Sequence, residues 1–181
     1  MRRILMALAM VFCLGTAPAR ADIVSASNSS FLLRSEATIA AAPDAVWTAL
    51  GQVGRWWNSA HTYSGDASNM RVELRAGGCF CEQWARGAQS VEHARVLLVM
   101  EHEGTRTLRM SGALGPLQDM GVVAVLTFLV AEDPSGAKVT MTYRVSGDSR
   151  LDLDELAPLV EGVLNEQLSR LARYAAGETL D

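Results

Sequence analysis

The sequence predicts an α+β fold in which a curved antiparallel sheet of six to seven strands carries two short helices near its start and one long helix at its end. Three observations predict it. Between residues 69 and 145 apolar and polar residues alternate with a period of two, interrupted by turn-forming clusters. From Asp152 the period changes to that of an amphipathic helix. Between the first strand and the sheet, Pro43 opens a short helical stretch.

At the N-terminus, Arg2 and Arg3 precede an apolar run over residues 4–14, and small residues lead to Ala19-Arg20-Ala21. This is the pattern of a secretory signal peptide over residues 1–21, cleaved near Ala21, which places the mature protein in the periplasm or outside the cell. The run is too short for a bilayer span, which needs about 20 residues, so no stable membrane insertion is expected. Cys13 lies inside the apolar run and leaves with the leader. The leader holds three of the 16 basic residues and no acid, so its removal takes the formal charge from -4 to -7. An acidic chain without a polybasic cluster is a poor partner for nucleic acid.

Residues 22–31, with five Ser and Asn residues, read as a flexible segment ahead of a single domain over residues 32–177. Leu33, Ser35, Ala37 and Ile39 alternate with polar residues in a first strand that ends at Pro43. Val46, Trp47 and Leu50 form one face of the short helix behind the proline, and residues 53–57 make a second helical turn carrying Trp56 and Trp57. Strands follow over residues 70–75, 79–85, 91–100, 106–111, 122–131 and 137–145. Their short connections join antiparallel neighbours, because a parallel crossover needs a dozen residues or more. Residues 96–100 and 122–130 are apolar on both alternations and are expected to be the most buried. In the last helix Leu156, Val160, Val163, Leu164, Leu168 and Leu171 share a face. Asp152 and Asp154 suit its N-cap, while Pro158 and Gly162 weaken its first half.

Several stretches resemble the SRPBCC superfamily, which includes START lipid-transfer domains, polyketide cyclase/dehydrase-like proteins and Hsp90-activator-type domains. Ser35-Glu36-Ala37-Thr38-Ile39-Ala40-Ala41-Ala42-Pro43-Asp44-Ala45-Val46-Trp47 resembles the opening strand and helix start, and Arg55-Trp56-Trp57 the aromatic second helix. Gly77-Gly78-Cys79-Phe80 is similar to the turn that opens the third strand, and Gly112-Ala113-Leu114-Gly115-Pro116-Leu117 to a loop of secreted bacterial members. The resemblance covers residues 33–176. It implies the helix-grip arrangement, in which the sheet wraps the C-terminal helix over an apolar cavity that binds a small hydrophobic molecule.

Strand parity places Phe80, Glu82 and Trp84 on one face and Cys79, Cys81 and Gln83 on the other. If Phe80 and Trp84 face a cavity, Glu82 goes with them, and a buried carboxylate needs a partner such as His93, Arg95 or Arg109. Trp56, Trp57, Phe80, Glu82, Trp84, Met110, Met141 and Tyr143 are the expected ligand-binding residues. The leading expectation is a periplasmic carrier or sensor for a lipid, polyketide or aromatic metabolite. The alternatives are a cyclase/dehydrase-type enzyme using Glu82, His93 and Arg109 for acid/base chemistry, and a protein-interaction module. The three histidines show no metal-ligand spacing, and no phosphate-binding loop or nucleophile elbow is present, so neither metal nor cofactor is expected. Cys79 and Cys81 stand two residues apart on a strand, about 6.6 Å between Cα atoms at about 3.3 Å per residue. That is the long edge of the roughly 4.4 to 6.8 Å that a disulfide accepts, and a bulge after Gly77-Gly78 would shorten it. In an oxidising compartment a structural disulfide is expected.

Overall fold

The computed structural model describes residues 20–180. The leader read at residues 1–21 therefore lies almost wholly outside the described residues. Eight strands form one open antiparallel sheet in the order β1-β2-β8-β7-β6-β5-β4-β3. They are β1 (Arg20–Ser27), β2 (Ser30–Ile39), β3 (Met70–Val72), β4 (Cys79–Trp84), β5 (Gln89–His102), β6 (Thr105–Ser111), β7 (Val123–Asp133) and β8 (Gly136–Ser146). Helix α1 (Pro43–Gly51) and α2 (Leu153–Ala175) complete the fold, with short 3₁₀ turns between residues 53 and 69. The helix-grip arrangement is thus present with one strand more than expected.

The additional strand is β1. The segment over residues 22–31, expected to be flexible, instead pairs with β2 through Ala21↔Ser35, Ile23↔Leu33 and Ser27↔Ser30. Its side chains from Asp22 to Asn28 are all exposed. Backbone hydrogen bonds hold it, so the sequence carries no apolar alternation to announce it.

Burial follows a one-sided sheet. On β2, Phe31, Leu33, Ser35, Ala37 and Ile39 are buried, and on β8 Ala137, Val139, Met141, Tyr143 and Val145 are buried in register with them. Both rows lie on the face that α1 and α2 cover. Residues 96–100 do not meet the expectation of deep burial. Leu97 and Met100 are 52% and 46% exposed, because a bulge between Val96 and Leu98 and an uncovered outer face leave them in solvent. In β7, Ala124, Leu126, Phe128 and Val130 are buried inward, but Val123 on the outer face is 69% exposed, so the run over residues 122–130 meets the expectation on one face only.

Helix α2 sets Leu153, Ala157, Leu164, Leu168 and Leu171 against the sheet. Asp152 precedes it in the left-handed region, and its carboxylate accepts from Asn28 Nδ2 at 2.9 Å rather than capping the helix. Pro158 lies inside the helix, where it removes the hydrogen bond that its amide would have made to the Asp154 carbonyl. Gly162 follows one turn later, and a Cβ built there meets nothing within 4 Å. The Gly162→Ala variant is therefore expected to stabilise the protein by about 0.5–1 kcal/mol, read from a urea midpoint shift at unchanged m-value.

Candidate functional site

Apolar side chains from four strands, α1 and the turn behind it converge on one point of the covered face. Leu50 and Val53, Trp56 and Trp57, Val72, Phe80, Leu108 and Met110, and Leu126 and Phe128 line a void of about 10 Å³, about the room of one water. The two tryptophans turn their polar edges away from it. Trp56 Nε1 donates to the Ala49 carbonyl at 2.9 Å and Trp57 Nε1 to the His61 carbonyl at 3.0 Å. Only hydrocarbon faces the void as a result. Trp57 stacks edge-on to Phe80 with ring centroids 5.5 Å apart, and Trp56 packs against Trp57 at 5.6 Å.

Beside Phe80 lies a buried polar pair. Glu82 is 0% exposed and His93 5%, with His93 Nε2 3.2 Å from Glu82 Oε2. A bulge builds it. In the β4–β5 register Phe80 pairs with Ala94 and Cys81 with Glu92, so His93 is the extra residue of β5. The bulge turns His93 inward beside Ala94, where its ring lies 5.2 Å from that of Phe80 and 5.9 Å from that of Tyr63. Glu82 also accepts the Tyr63 amide at 3.0 Å and the Ser64 amide at 2.5 Å. Burial works against its charged form, but hydrogen bonds from Ser64 and Tyr63 and the neighbouring His93 outweigh it and hold the carboxyl below its ordinary value. Burial lowers His93 more than Glu82 raises it. At neutral pH the pair is a carboxylate receiving a proton donor from a neutral imidazole, with Nε2 carrying the hydrogen.

This pair fixes the rim. Tyr63, held at its amide by Glu82, donates its hydroxyl to the Gly115 carbonyl at 3.2 Å. Tyr143 Oη accepts the Leu114 amide at 2.9 Å and donates to the Gly112 carbonyl at 3.3 Å. Gln118 Nε2 donates to the Glu92 carbonyl at 2.9 Å. Gly112 has to be glycine, since a Cβ there would stand 2.3 Å from the His93 carbonyl.

Of the expected ligand-binding residues, Trp56, Trp57, Phe80 and Met110 line the void. Glu82 lies beside it, saturated by three donors. Met141 and Tyr143 are buried in β8 but outside the lining, and Trp84 is half-buried at the end of β4. Arg109 corrects the expected acid/base set. It is exposed on the outer face of β6, its Nε 3.4 Å from Thr127 Oγ1, because it neighbours the inward Met110 and strand parity sends it outward. Arg95 likewise pairs with Glu92 in solvent. Leu108, Leu126 and Phe128 were not singled out from the sequence, although they share the parity of Met110 across β6 and β7. Cys79 and Cys81 are brought together, with Cα atoms 5.4 Å apart. Their sulfurs and a Glu92 carboxylate oxygen lie within 4.8 Å of one another.

Residues 30–176 match the family model described as polyketide cyclase/dehydrase and lipid transport. The chain belongs to that family. No curated protein matches the sequence significantly. Among solved structures, an uncharacterised protein of Rhizobium leguminosarum is similar over 90% of this chain and 100% of its own, at 18% identity and a TM-score of 0.57. Human STARD10 is similar over 88% of this chain and 69% of its own, at 9% identity and a TM-score of 0.56. Norcoclaurine synthase of Thalictrum flavum, solved with a transition-state analogue, gives 81% and 94%, at 14% identity and a TM-score of 0.52. These likenesses establish the fold, which fits the superfamily resemblance. Membership of the polyketide cyclase/dehydrase and lipid transport family supports hydrophobic-ligand binding or cyclase-type chemistry, and no helix among the described residues is long and apolar enough to cross a membrane.

The folded values of Glu82 and His93 both lie below their ordinary 4.5 and 6.5, so the unfolded chain takes up protons first as pH falls. The contribution of this pair to stability is expected to be present above pH 6.5, to decline below it as unfolded His93 protonates, and to fall further below pH 4.5. Thermal unfolding across that range checks this, and the His93→Gln variant should lose the upper limb. The Glu82→Ala variant is expected to cost about 3 kcal/mol, since it strips the buried His93 and the partly buried Tyr63 and Ser64 amides of their acceptor. Arg109→Ala is expected to leave both stability and ligand binding within experimental error.

Proposed function

We propose that this family member is a binding protein or carrier for a small hydrophobic molecule, a lipid, polyketide or aromatic metabolite, taken up where the aromatic-lined void now lies. The observation that carries the reading is the lining itself. Ten apolar residues meet around one point with their polar edges tied back into the backbone, so the site offers burial and no acid or base aimed at a ligand. The void is too small for such a guest as it stands, and the walls must part to admit it.

A cyclase/dehydrase reading has one observation in its favour, the buried Glu82–His93 pair beside Phe80. It is the weaker reading. A carboxylate that already accepts from two amides and an imidazole, and whose pKa is held down, is a poor general base, and no cation joins it once Arg109 faces outward.

We further read residues 1–21 as an export leader, which would put the domain in the periplasm, and Cys79–Cys81 as a structural disulfide formed there. Native mass spectrometry of protein recovered from the periplasm without detergent tests these together. The expected result is a chain beginning near residue 22, lighter by two hydrogens than the dithiol, carrying a stoichiometric apolar molecule that denaturation releases. An uncleaved chain overturns the export reading. An empty chain that also fails to bind any hydrophobic probe saturably overturns the carrier reading.

A further inference from the structure

Three buried side-chain atoms find no hydrogen-bond partner among the described residues: Asp154 Oδ1, Asn165 Oδ1 and Gln167 Nε2. Asp154 and Asn165 are only partly buried. Gln167 is 1% exposed and stands on the apolar face of α2 with Leu164, Leu168 and Leu171. Its carboxamide orientation is set by chemistry. Oε1 accepts the Asn58 amide at 2.8 Å, and turning the group over would set an NH₂ against an N–H. The NH₂ group is therefore fixed on the far side with nothing to receive its hydrogens, an arrangement that native interiors keep rare.

The place matters as much as the vacancy in bonding. Asn58 follows Trp57 directly in the chain, and Arg170, one turn along α2, donates from Nε to the Trp56 carbonyl at 2.8 Å. Gln167 thus sits in the seam between α2 and the segment that supplies the tryptophan wall of the void. The other polar groups nearby are committed: both indole N–H groups to backbone carbonyls, and Glu82 to three donors. A guest entering along this seam meets hydrocarbon on the sheet side and one free donor on the helix side.

We infer that the ligand is an apolar molecule bearing a neutral hydrogen-bond acceptor, a ketone, ester or similar carbonyl oxygen, and that Gln167 Nε2 is the donor that orients it. The inference rests on reading the void as the ligand site. A neutral acceptor fits better than a carboxylate, because an amide hydrogen bond does little to offset burying a charge and Glu82 already places one negative charge in this interior. The acceptor end is held at α2, and the apolar body extends toward Trp57, Phe80 and Met110.

Equilibrium dialysis of the full domain with three probes of similar outline tests this: 2-acetylnaphthalene, 2-ethylnaphthalene and 2-naphthoate. The wild type is expected to hold the acetyl probe about tenfold more tightly than the ethyl probe, the worth of one buried hydrogen bond, and the naphthoate most weakly. Gln167→Glu keeps an acceptor for the Asn58 amide but removes the donor, and Gln167→Met keeps the volume without either. Either folded variant should lose the acetyl preference while retaining ethyl-probe affinity. An acetyl preference that survives in these variants, or is absent from the wild type while the ethyl probe binds, overturns the role of Gln167 and leaves the carrier reading standing. Failure of all three probes to bind overturns the carrier reading itself. If both variants fail to fold, the Gln167 side-chain amide signals decide: they should shift with the acetyl probe and not with the ethyl probe, and equal response to both overturns the assignment.

Discussion

A carboxylate cut off from water survives only where donors replace its hydration, and the donors that Glu82 recruits shape the end of the fold beside the aromatic-lined void. Two are backbone amides of Tyr63 and Ser64, which lie in the irregular stretch between α1 and β3. That stretch has no strand pairing of its own, so the carboxylate joins the Trp57–Phe80 contact in tying it to β4. The third donor is His93, and it reaches Glu82 because the β5 bulge turns it inward. From Tyr63 the chain of contacts continues to Gly115, and the 112–118 loop is clasped again by Tyr143. Removing Glu82 would leave one buried and two partly buried donors without an acceptor and would cut one of the links between the rim and the sheet.

The sheet was legible because one of its faces is covered and the other is wet. Alternation over β2, β6 and β8 translates directly into buried and exposed rows. Where another force positions the chain, the pattern carries no trace. β1 is held through its backbone at a sheet edge with exposed side chains, so serine-rich composition reads as disorder. Residues 96–100 look like a core strand because they are apolar on both faces, yet a bulge and an open outer face leave Leu97 and Met100 in water.

At the site, parity put Phe80 and Glu82 on one face of β4, and both are buried there. Applied consistently to β6, it also excludes Arg109, the immediate neighbour of Met110. The pairing of His93 with Glu82 was one of three options in sequence, since a one-residue bulge is invisible to periodicity. Tyr63 and Ser64 could not be found at all, because they act through amides that every residue possesses. Gln167 was within reach, as position 167 falls three residues after Leu164 and four before Leu171, on the apolar stripe of α2. A polar residue inside such a stripe signals a buried partner or a task.

The filled interior and the proposed cargo pull in opposite directions, and α2 is where the conflict can be relieved. A drug-sized guest needs roughly 300 Å³ or more, against a void of about 10 Å³. Well-packed walls do not part by compression, so elements must move relative to one another. The sheet is hydrogen-bonded continuously across eight strands. Helix α2 lacks one backbone hydrogen bond at Pro158, carries an unfilled Cβ position at Gly162, and meets the tryptophan segment through a few polar contacts at Asn58, Gln167 and Arg170. Those contacts are exchangeable for contacts to a ligand in a way that methyl packing is not. Parting that seam exposes apolar surface that a hydrophobic guest can cover again. On the carrier reading, the polar seam would serve entry and the apolar lining retention.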